Sequence, residues 1–270
     1  MWESWAKEHV IVWDLETVPD LSAAARIHAL SEDDLDGARA ALGDKFPKLP
    51  LHSVVCIGAL IAQRSGEAYQ VRSLGAPHVG DRSEAALIQS FVDRIAELRP
   101  RLVGFNCASF DLAVLRYRAM VNLVSAPGLD VRGYYKRYTE DSLDLCDVLS
   151  CFDARGKISL NDLCRVLGLP GKPDDIDGSE VAAYVKAGRL PEVSAYCETD
   201  VVSTYRVWLR YELFRGALTR DGFEESEANL LAYIRDRLLA KPHLGFLLGT
   251  APQIAAPSLV ETVVQRQAAE

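Results

Sequence analysis

Three places in this chain hold acids at spacings that chemistry can use. The first is Asp14-Leu15-Glu16, directly after the apolar run Val10 to Trp13. Residues i and i+2 of a strand point to one face, so carboxylates placed there stand side by side and repel. A divalent cation with oxygen ligands relieves that repulsion. A plain exposed pair at a strand end fits the same spacing. The second place is Asn106-x-x-x-Phe110-Asp111, at the junction of a strand and a helix. There an Asp can be an N-cap or a first-turn charge, and an Asn a turn residue. The third is Tyr196-x-x-x-Asp200, whose i, i+4 spacing puts both on one helix face. Val193, Val201 and Val202 surround that pair, and an Asp among valines is costly unless paired or metal-bound. An exposed helix acid near a tyrosine is the alternative.

These residues need particular elements to position them. Residues 9–14 read as a buried strand, 53–63 as a second and 66–74 as a third, with Ser65-Gly66 as the hairpin turn. The segment 17–52 between the first two is an insertion with a helical stretch and a Pro-broken return. The pattern over 83–98 predicts an amphipathic helix with Leu87, Ile88, Phe91, Val92, Ile95 and Leu98 on one face and Ser83 as its cap. A strand over 101–106 and a helix from Phe110 to Asn122 follow. Ser159 caps a short helix within 158–168. Pro191 opens a long helix over 191–217, and a further helical stretch covers 225–240 before a weakly patterned tail. Hairpin strands first, then strands alternating with helices, imply an α/β sheet of mixed direction.

The 270 residues are enough for a full core, with 49% apolar and 25% charged residues. No window is apolar enough for a membrane span, and the N-terminus lacks the apolar region of a secretory signal. Six cysteines form neither CxxC pairs nor zinc spacings. They read as small buried hydrophobes in a reducing cytoplasm, the expected location. A net charge of −8 argues against gripping long nucleic acid by bulk electrostatics. It leaves room for a short stretch held by metal ions and a few local cations.

Taken together and in order, the three acidic places resemble the DEDDy subgroup of the DEDD 3′–5′ exonuclease superfamily. The stretches "DLETVPD", "VGFNCASFDLAVLRYRAM", "LDLCDVLS", "SLNDLCRVLGLPGKPDDIDGSEV" and "YCETDVVSTYRVWLRY" carry a narrower likeness. They are similar to bacterial stand-alone enzymes akin to the proofreading domain of family-B DNA polymerases. The likeness spans about residues 9–215. It departs only mildly at Cys107, where a smaller residue is usual.

The resemblance implies a ribonuclease-H-like fold, a mixed β-sheet flanked by α-helices. The expected domains are an exonuclease domain over 1–220, with the insertion 17–52, and a helical extension over 221–270 packed on it. The resemblance also implies a catalytic set of Asp14, Glu16, Asp111, Tyr196 and Asp200, and two divalent cations, Mg²⁺ or Mn²⁺. Asp14, Glu16 and Asp200 would bind one ion, Asp14 bridging to a second that Asp111 holds through water. Tyr196, with a reference pKa of about 10, would orient the attacking water rather than act as base. Leu15, Thr17, Asn106 and Phe110 would meet the substrate, Phe110 having a core role as its alternative. The expected partner is the 3′ end of single-stranded DNA, with RNA as the alternative and no membrane.

Softer expectations concern cations. Arg132, Lys136 and Arg137 interleave with Tyr134, Tyr135 and Tyr138, the mixture a single-strand path uses. Arg116 and Arg118 form a second candidate pair. Two rivals remain at this stage. A haloacid-dehalogenase-like phosphatase would need an Asp where Glu16 stands. A non-catalytic binding module would not need all four acids and the tyrosine.

Overall fold

The computed structural model describes residues 8–43, 45–136, 139–171 and 178–249. Strand β1 (His9–Pro19) leads to two short helices, α1 (Leu21–Ile27) and α2 (Leu35–Leu42). The hairpin β2 (His52–Ser65) and β3 (Ala68–Gly75) follows, turning at Gly66, whose φ of 61° suits glycine. Helix α3 (Glu84–Leu98), strand β4 (Arg101–Gly104) and helix α4 (Asp111–Val121) come next. After them stand α5 (Arg132–Tyr135), β5 (Ser142–Asp144), α6 (Leu145–Leu149) and α7 (Leu160–Val166). The chain then forms α8 (Val181–Lys186), the long α9 (Leu190–Phe214), α10 (Arg220–Arg235) and a 3₁₀ segment, Pro242–Leu248. No helix among the described residues is long and apolar enough to cross a membrane.

The strands form one mixed sheet in the order β3-β2-β1-β4-β5. β1 pairs antiparallel with β2 and parallel with β4. Helices cover both faces, giving the ribonuclease-H-like α/β architecture that the sequence implies. Side-chain alternation along β1 divides the core in two. Val10 and Val12 join Tyr205 and Trp208 of α9 and Leu230 of α10. Ile11, Trp13 and Leu15 point to the other face, among Ile88, Phe91 and Ile95 of α3 and Val114 and Leu115 of α4. A fully buried side chain of this size contributes about 1.5–3 kcal/mol, so each face anchors its helices firmly.

β1 is longer than the sequence suggests. Its acids stand inside the strand, because β2 goes on pairing with it as far as Pro19. Its other neighbour stops early, since β4 pairs only Val10, Ile11 and Val12. From Trp13 onward, β1 therefore has an open side, and the acids lie along that opening. The excursion after β1 starts at Asp20, which caps α1 by accepting from Ala23 N. Helix α10 begins at Arg220, five residues earlier than its sequence pattern indicates. It lies along the outer strand β3, where Tyr69 N donates to Ser226 Oγ and Val71 N to Asn229 Oδ1. Those side chains satisfy the edge backbone of β3. The weakly patterned tail, from residue 250 on, lies outside the described residues.

Candidate active site

Asp14 and Glu16 share the parity of Val10 and Val12, so both face α9. One ligand atom each of Asp14, Glu16 and Cys197 of α9 lie within 4.8 Å of one another. Glu16 is buried and Asp14 half-buried. A register shift follows Glu16: it pairs with Cys56, whereas Thr17 pairs with Val54. Such a bulge re-aims the side chains beyond it, here Thr17.

Gly58 makes the approach of α9 possible. It pairs with Asp14 across the β1–β2 ladder. A Cβ at this position would stand 2.6 Å from Cys197 Sγ and 2.9 Å from a Val201 methyl. With no side chain there, Cys197 Sγ comes to 3.8 Å from both the main-chain oxygen and Oδ2 of Asp14. A hydrogen bond with Cys56 is the first cause that pushes the Cys197 thiol well above its ordinary pKa, and burial adds to it. The Cys197 side chain fills the space between α9 and β1. The oxygen donors of Asp14 and Glu16 are the kind that suit Mg²⁺ or Mn²⁺. Tyr196 and Asp200 are both half-buried on the same helix. Asp200 is one turn on from Cys197 and therefore on its side of α9.

Asp111 is the first residue of α4, and Phe110 holds the cap position without a side-chain cap bond. The Asp111 carboxylate turns to β1, where Oδ1 accepts from Leu15 N at 3.1 Å. It thereby serves a backbone donor on the stretch that β4 leaves unpaired. Burial pushes Asp111 up to about 7, against the pull of the Leu15 N–H. The buried Cys107 thiol shows how the acids converge: burial raises it most, then Asp144 and Asp111, with Asp14 adding to them.

Asn106 is a left-handed turn residue with φ of 63°. Its N–H donates to Asp144 Oδ1 at 2.8 Å, and Ala108 N donates to Asp144 Oδ2 at 2.9 Å. Lys157 Nζ reaches both Asn106 Oδ1, at 3.1 Å, and Asp147 Oδ1, at 2.9 Å. A cation is thus held beside the Asn106 turn.

Next to these acids opens a cleft of about 510 Å³, lined by Leu15, Glu16, Thr17, Phe110 and residues of the 17–52 segment, among them Phe46 and His52. Phe46, His52 and Phe110 form a ring cluster. His52 meets Phe110 edge-on at 4.9 Å and Phe46 at 4.8 Å between centroids. Phe110 is therefore a wall of the cleft as well as a partner of the core on the α3–α4 face.

Two expectations about cations need correction. Arg118 is neither a surface residue nor open to a ligand. It is 4% exposed and donates to Glu84 and Asp20, because α4 packs this face against the β1–α1 corner and the start of α3. Tyr134 is buried and donates to Pro100 O at 2.8 Å, so it offers no stacking face. Tyr135 is covered by the Arg116 guanidinium at 4.0 Å. Arg137 and Tyr138 lie outside the described residues.

His52, Phe46, Asp144 and Lys157 also stand at the site without belonging to the three acidic motifs. "LDLCDVLS" contains Asp144 and pointed toward it. No sequence pattern marks His52 or Phe46, whose contacts with Thr17 and Phe110 come from distant parts of the chain.

Comparison with known proteins narrows the assignment. Residues 44–248 match the model of a family described as a predicted 3′–5′ exonuclease related to the exonuclease domain of PolB. The chain belongs to this family. The match includes Asn106, Phe110, Asp111, Tyr196 and Asp200, and begins after Asp14 and Glu16. No curated protein matches. Among solved structures, the family-B DNA polymerase of Pyrobaculum calidifontis is 18% identical, with a TM-score of 0.48. The alignment covers 76% of this chain and 24% of the polymerase. E. coli exonuclease I in complex with a dA16 oligonucleotide is 14% identical, with a TM-score of 0.39, covering 74% of this chain and 44% of that one. The chain thus spans less than half the length of either. The family match supports an exonuclease rather than the phosphatase alternative.

Proposed function

We propose that this chain is a metal-dependent 3′–5′ exonuclease that acts on the 3′ end of single-stranded DNA and releases nucleoside 5′-monophosphates. The observation that carries the reading is the convergence on one open stretch of β1. Asp14 and Glu16 face α9, Asp111 binds the Leu15 N–H, and the Tyr196/Asp200 side of α9 is drawn in at Gly58. Asp14, Glu16 and Asp200 would hold one divalent cation, and Asp14 with Asp111 a second, Mg²⁺ or Mn²⁺. Such a pair supplies a nucleophilic water at neutral pH and offsets charge on the departing 3′-oxygen.

The chain's own residues do the rest. Tyr196, of a residue type whose reference pKa of about 10 makes it a poor base near neutrality, would donate a hydrogen bond that orients the water. Thr17 and the Leu15–Glu16 backbone border the cleft where the last nucleotide would lie, with Phe110 beside its base or sugar. Asn106, whose N–H donates to Asp144 and whose Oδ1 accepts from Lys157, would contact the next sugar-phosphate.

The test uses 5′-labelled DNA and RNA oligomers with Mg²⁺ or Mn²⁺, beside Asp14→Ala and Asp200→Ala. A ladder shortening from the 3′ end of DNA, and lost in both variants, is expected. A ladder that persists in both, or none in any metal, overturns the reading. Cleavage of RNA in preference to DNA would reassign the substrate on the same site.

A further inference from the structure

The geometry points to His52 as a positioning residue that fixes the Thr17 hydroxyl as a hydrogen-bond acceptor, so that the cleft selects a nucleic-acid end with a free 3′-hydroxyl over one with a 3′-phosphate. This rests on the exonuclease reading above.

His52 Nε2 lies 3.1 Å from the Pro47 carbonyl oxygen. A carbonyl only accepts, so Nε2 carries the hydrogen. Burial lowers the His52 pKa below its ordinary value, which keeps the ring neutral at pH 7. Nδ1 is then a bare lone pair. It lies 3.0 Å from Thr17 Oγ1, which must donate to it. The single hydroxyl hydrogen of Thr17 is thereby spent on His52. The oxygen's remaining lone pairs can only accept.

The surroundings hold this arrangement in place. His52 is 3% exposed, clamped between Phe46 and Phe110. Its backbone is fixed by pairing with Pro19 at the start of β2. Thr17 lies just past the bulge and lines the cleft together with Glu16. A ligand group meeting Thr17 must therefore donate a hydrogen bond beside a carboxylate. A sugar hydroxyl does so. A phosphate monoester, anionic and with acceptor oxygens, does not. Each cut of a 3′–5′ exonuclease leaves a new 3′-hydroxyl, so the same acceptor suits every cycle.

Two measurements test the inference. The first is the ¹⁵N spectrum of the His52 ring in the wild-type protein at pH 7, which does not depend on activity. The Nε2–H tautomer is expected, with Nδ1 unprotonated. An Nδ1–H tautomer or a flipping ring overturns the lock.

The second compares kcat/KM on oligonucleotides ending in 3′-hydroxyl and in 3′-phosphate, for wild type, Thr17→Val, His52→Phe and the double variant. His52→Phe keeps a ring between Phe46 and Phe110. Wild type should prefer the hydroxyl end. Each single variant should lose about tenfold on that substrate, the effect of one hydrogen bond of about 1.4 kcal/mol, and little on the phosphate end. The double variant should be no worse than Thr17→Val within about twofold. Equal losses on both ends, additive losses, a hydroxyl preference kept in His52→Phe, or a wild-type preference for the phosphate end, drawn by Arg39 and Lys45 of the same cleft, overturn the proposal. If the wild type cleaves neither end, the exonuclease reading fails and the substrate preference with it, while the ring spectrum still decides the hydrogen-bond lock.

Discussion

At the scale of single residues, the proposed mechanism gives the acids and Tyr196 different tasks. Carboxylates facing one another need a cation, whereas a phenol with a pKa of about 10 does not bind one well and donates a hydrogen bond instead. Tyr196→Phe should therefore lower the single-turnover rate about 100-fold, the lower end of what a positioned proton donor contributes. Mn²⁺ affinity measured by calorimetry should stay unchanged. Loss of metal binding in that variant would show that the tyrosine helps build the ion site. Asp144 has another role again. It is buried, and its two oxygens accept from Asn106, Ala108, Cys146 and Asp147. It shapes the turn that carries Asn106 and is not one of the group formed by Asp14, Glu16 and Cys197.

At the scale of elements, two junctions set the site. One is the contact of α9 with β1 and β2 at Gly58. Gly58→Ala would place a methyl into Cys197 Sγ and Val201, with main-chain Cys197 O at 3.3 Å behind them. Overpacking of this kind costs about 1–3 kcal/mol. The helix must shift, so Gly58→Ala should lower both the melting temperature and nuclease activity. A variant that melts lower but cleaves at the wild-type rate would show that the exact seat of α9 is not critical.

The other junction is the corner where β1 meets α1. Asp20 Oδ2 accepts from Arg118 Nη1 at 2.5 Å while its Oδ1 caps α1 through Ala23 N. Burial pushes the Asp20 carboxyl up, but the Ala23 N–H and Arg118 outweigh it, and its pKa is lowered overall. A carboxyl depressed in the fold adds stability above its unfolded pKa of about 3.9, and that stability is lost as pH falls through the folded value. Asp20→Asn keeps a cap oxygen and removes the charge. It should cost about 1–2 kcal/mol at pH 7 in urea denaturation, with the difference from wild type shrinking below about pH 4. A difference that persists undiminished at pH 3 would exclude the charge as its source.

At the scale of the whole molecule, buried ion pairs fasten the C-terminal half of α9 to its neighbours. Arg206, 1% exposed, pairs with Glu227 of α10 at 3.0 Å and donates to Leu247 O in the 3₁₀ segment. Glu212, also 1% exposed, pairs with Arg101 of β4 at 3.2 Å and with Arg215 at 3.1 Å. Burial raises the Glu212 pKa against the opposing pull of these arginines. Arg101→Met would leave Glu212 with Arg215 alone, and Glu140 would lose its own bond to Arg101. Removing one partner of a buried pair costs about 3 kcal/mol. The melting temperature should fall by roughly 6–12 °C. Arg101→Met/Glu212→Leu, which removes both buried charges, should recover much of that loss; no recovery would mean that Arg101 acts through Glu140 instead.

The sequence by itself determined what depends on neighbours along the chain. The apolar run into Asp14-Leu15-Glu16 put both acids on one face, Tyr196 and Asp200 shared a helix side, and Ser83 and Ser159 capped their helices as their spacing required. These follow from fixed strand and helix periods. Tertiary structure decided what depends on distant partners. Asp111 meets the Leu15 N–H across 96 positions, His52 meets Thr17 across 35, and Arg118 reaches Asp20 across 98. No local period records such contacts. That is why Arg118 read as a candidate ligand residue and proved a buried tie, while His52 drew no notice and lies beside Thr17. The end of β1 was misplaced for the same reason: its length was set by how far β2 pairs with it, and the opening that exposes its acids by how soon β4 stops.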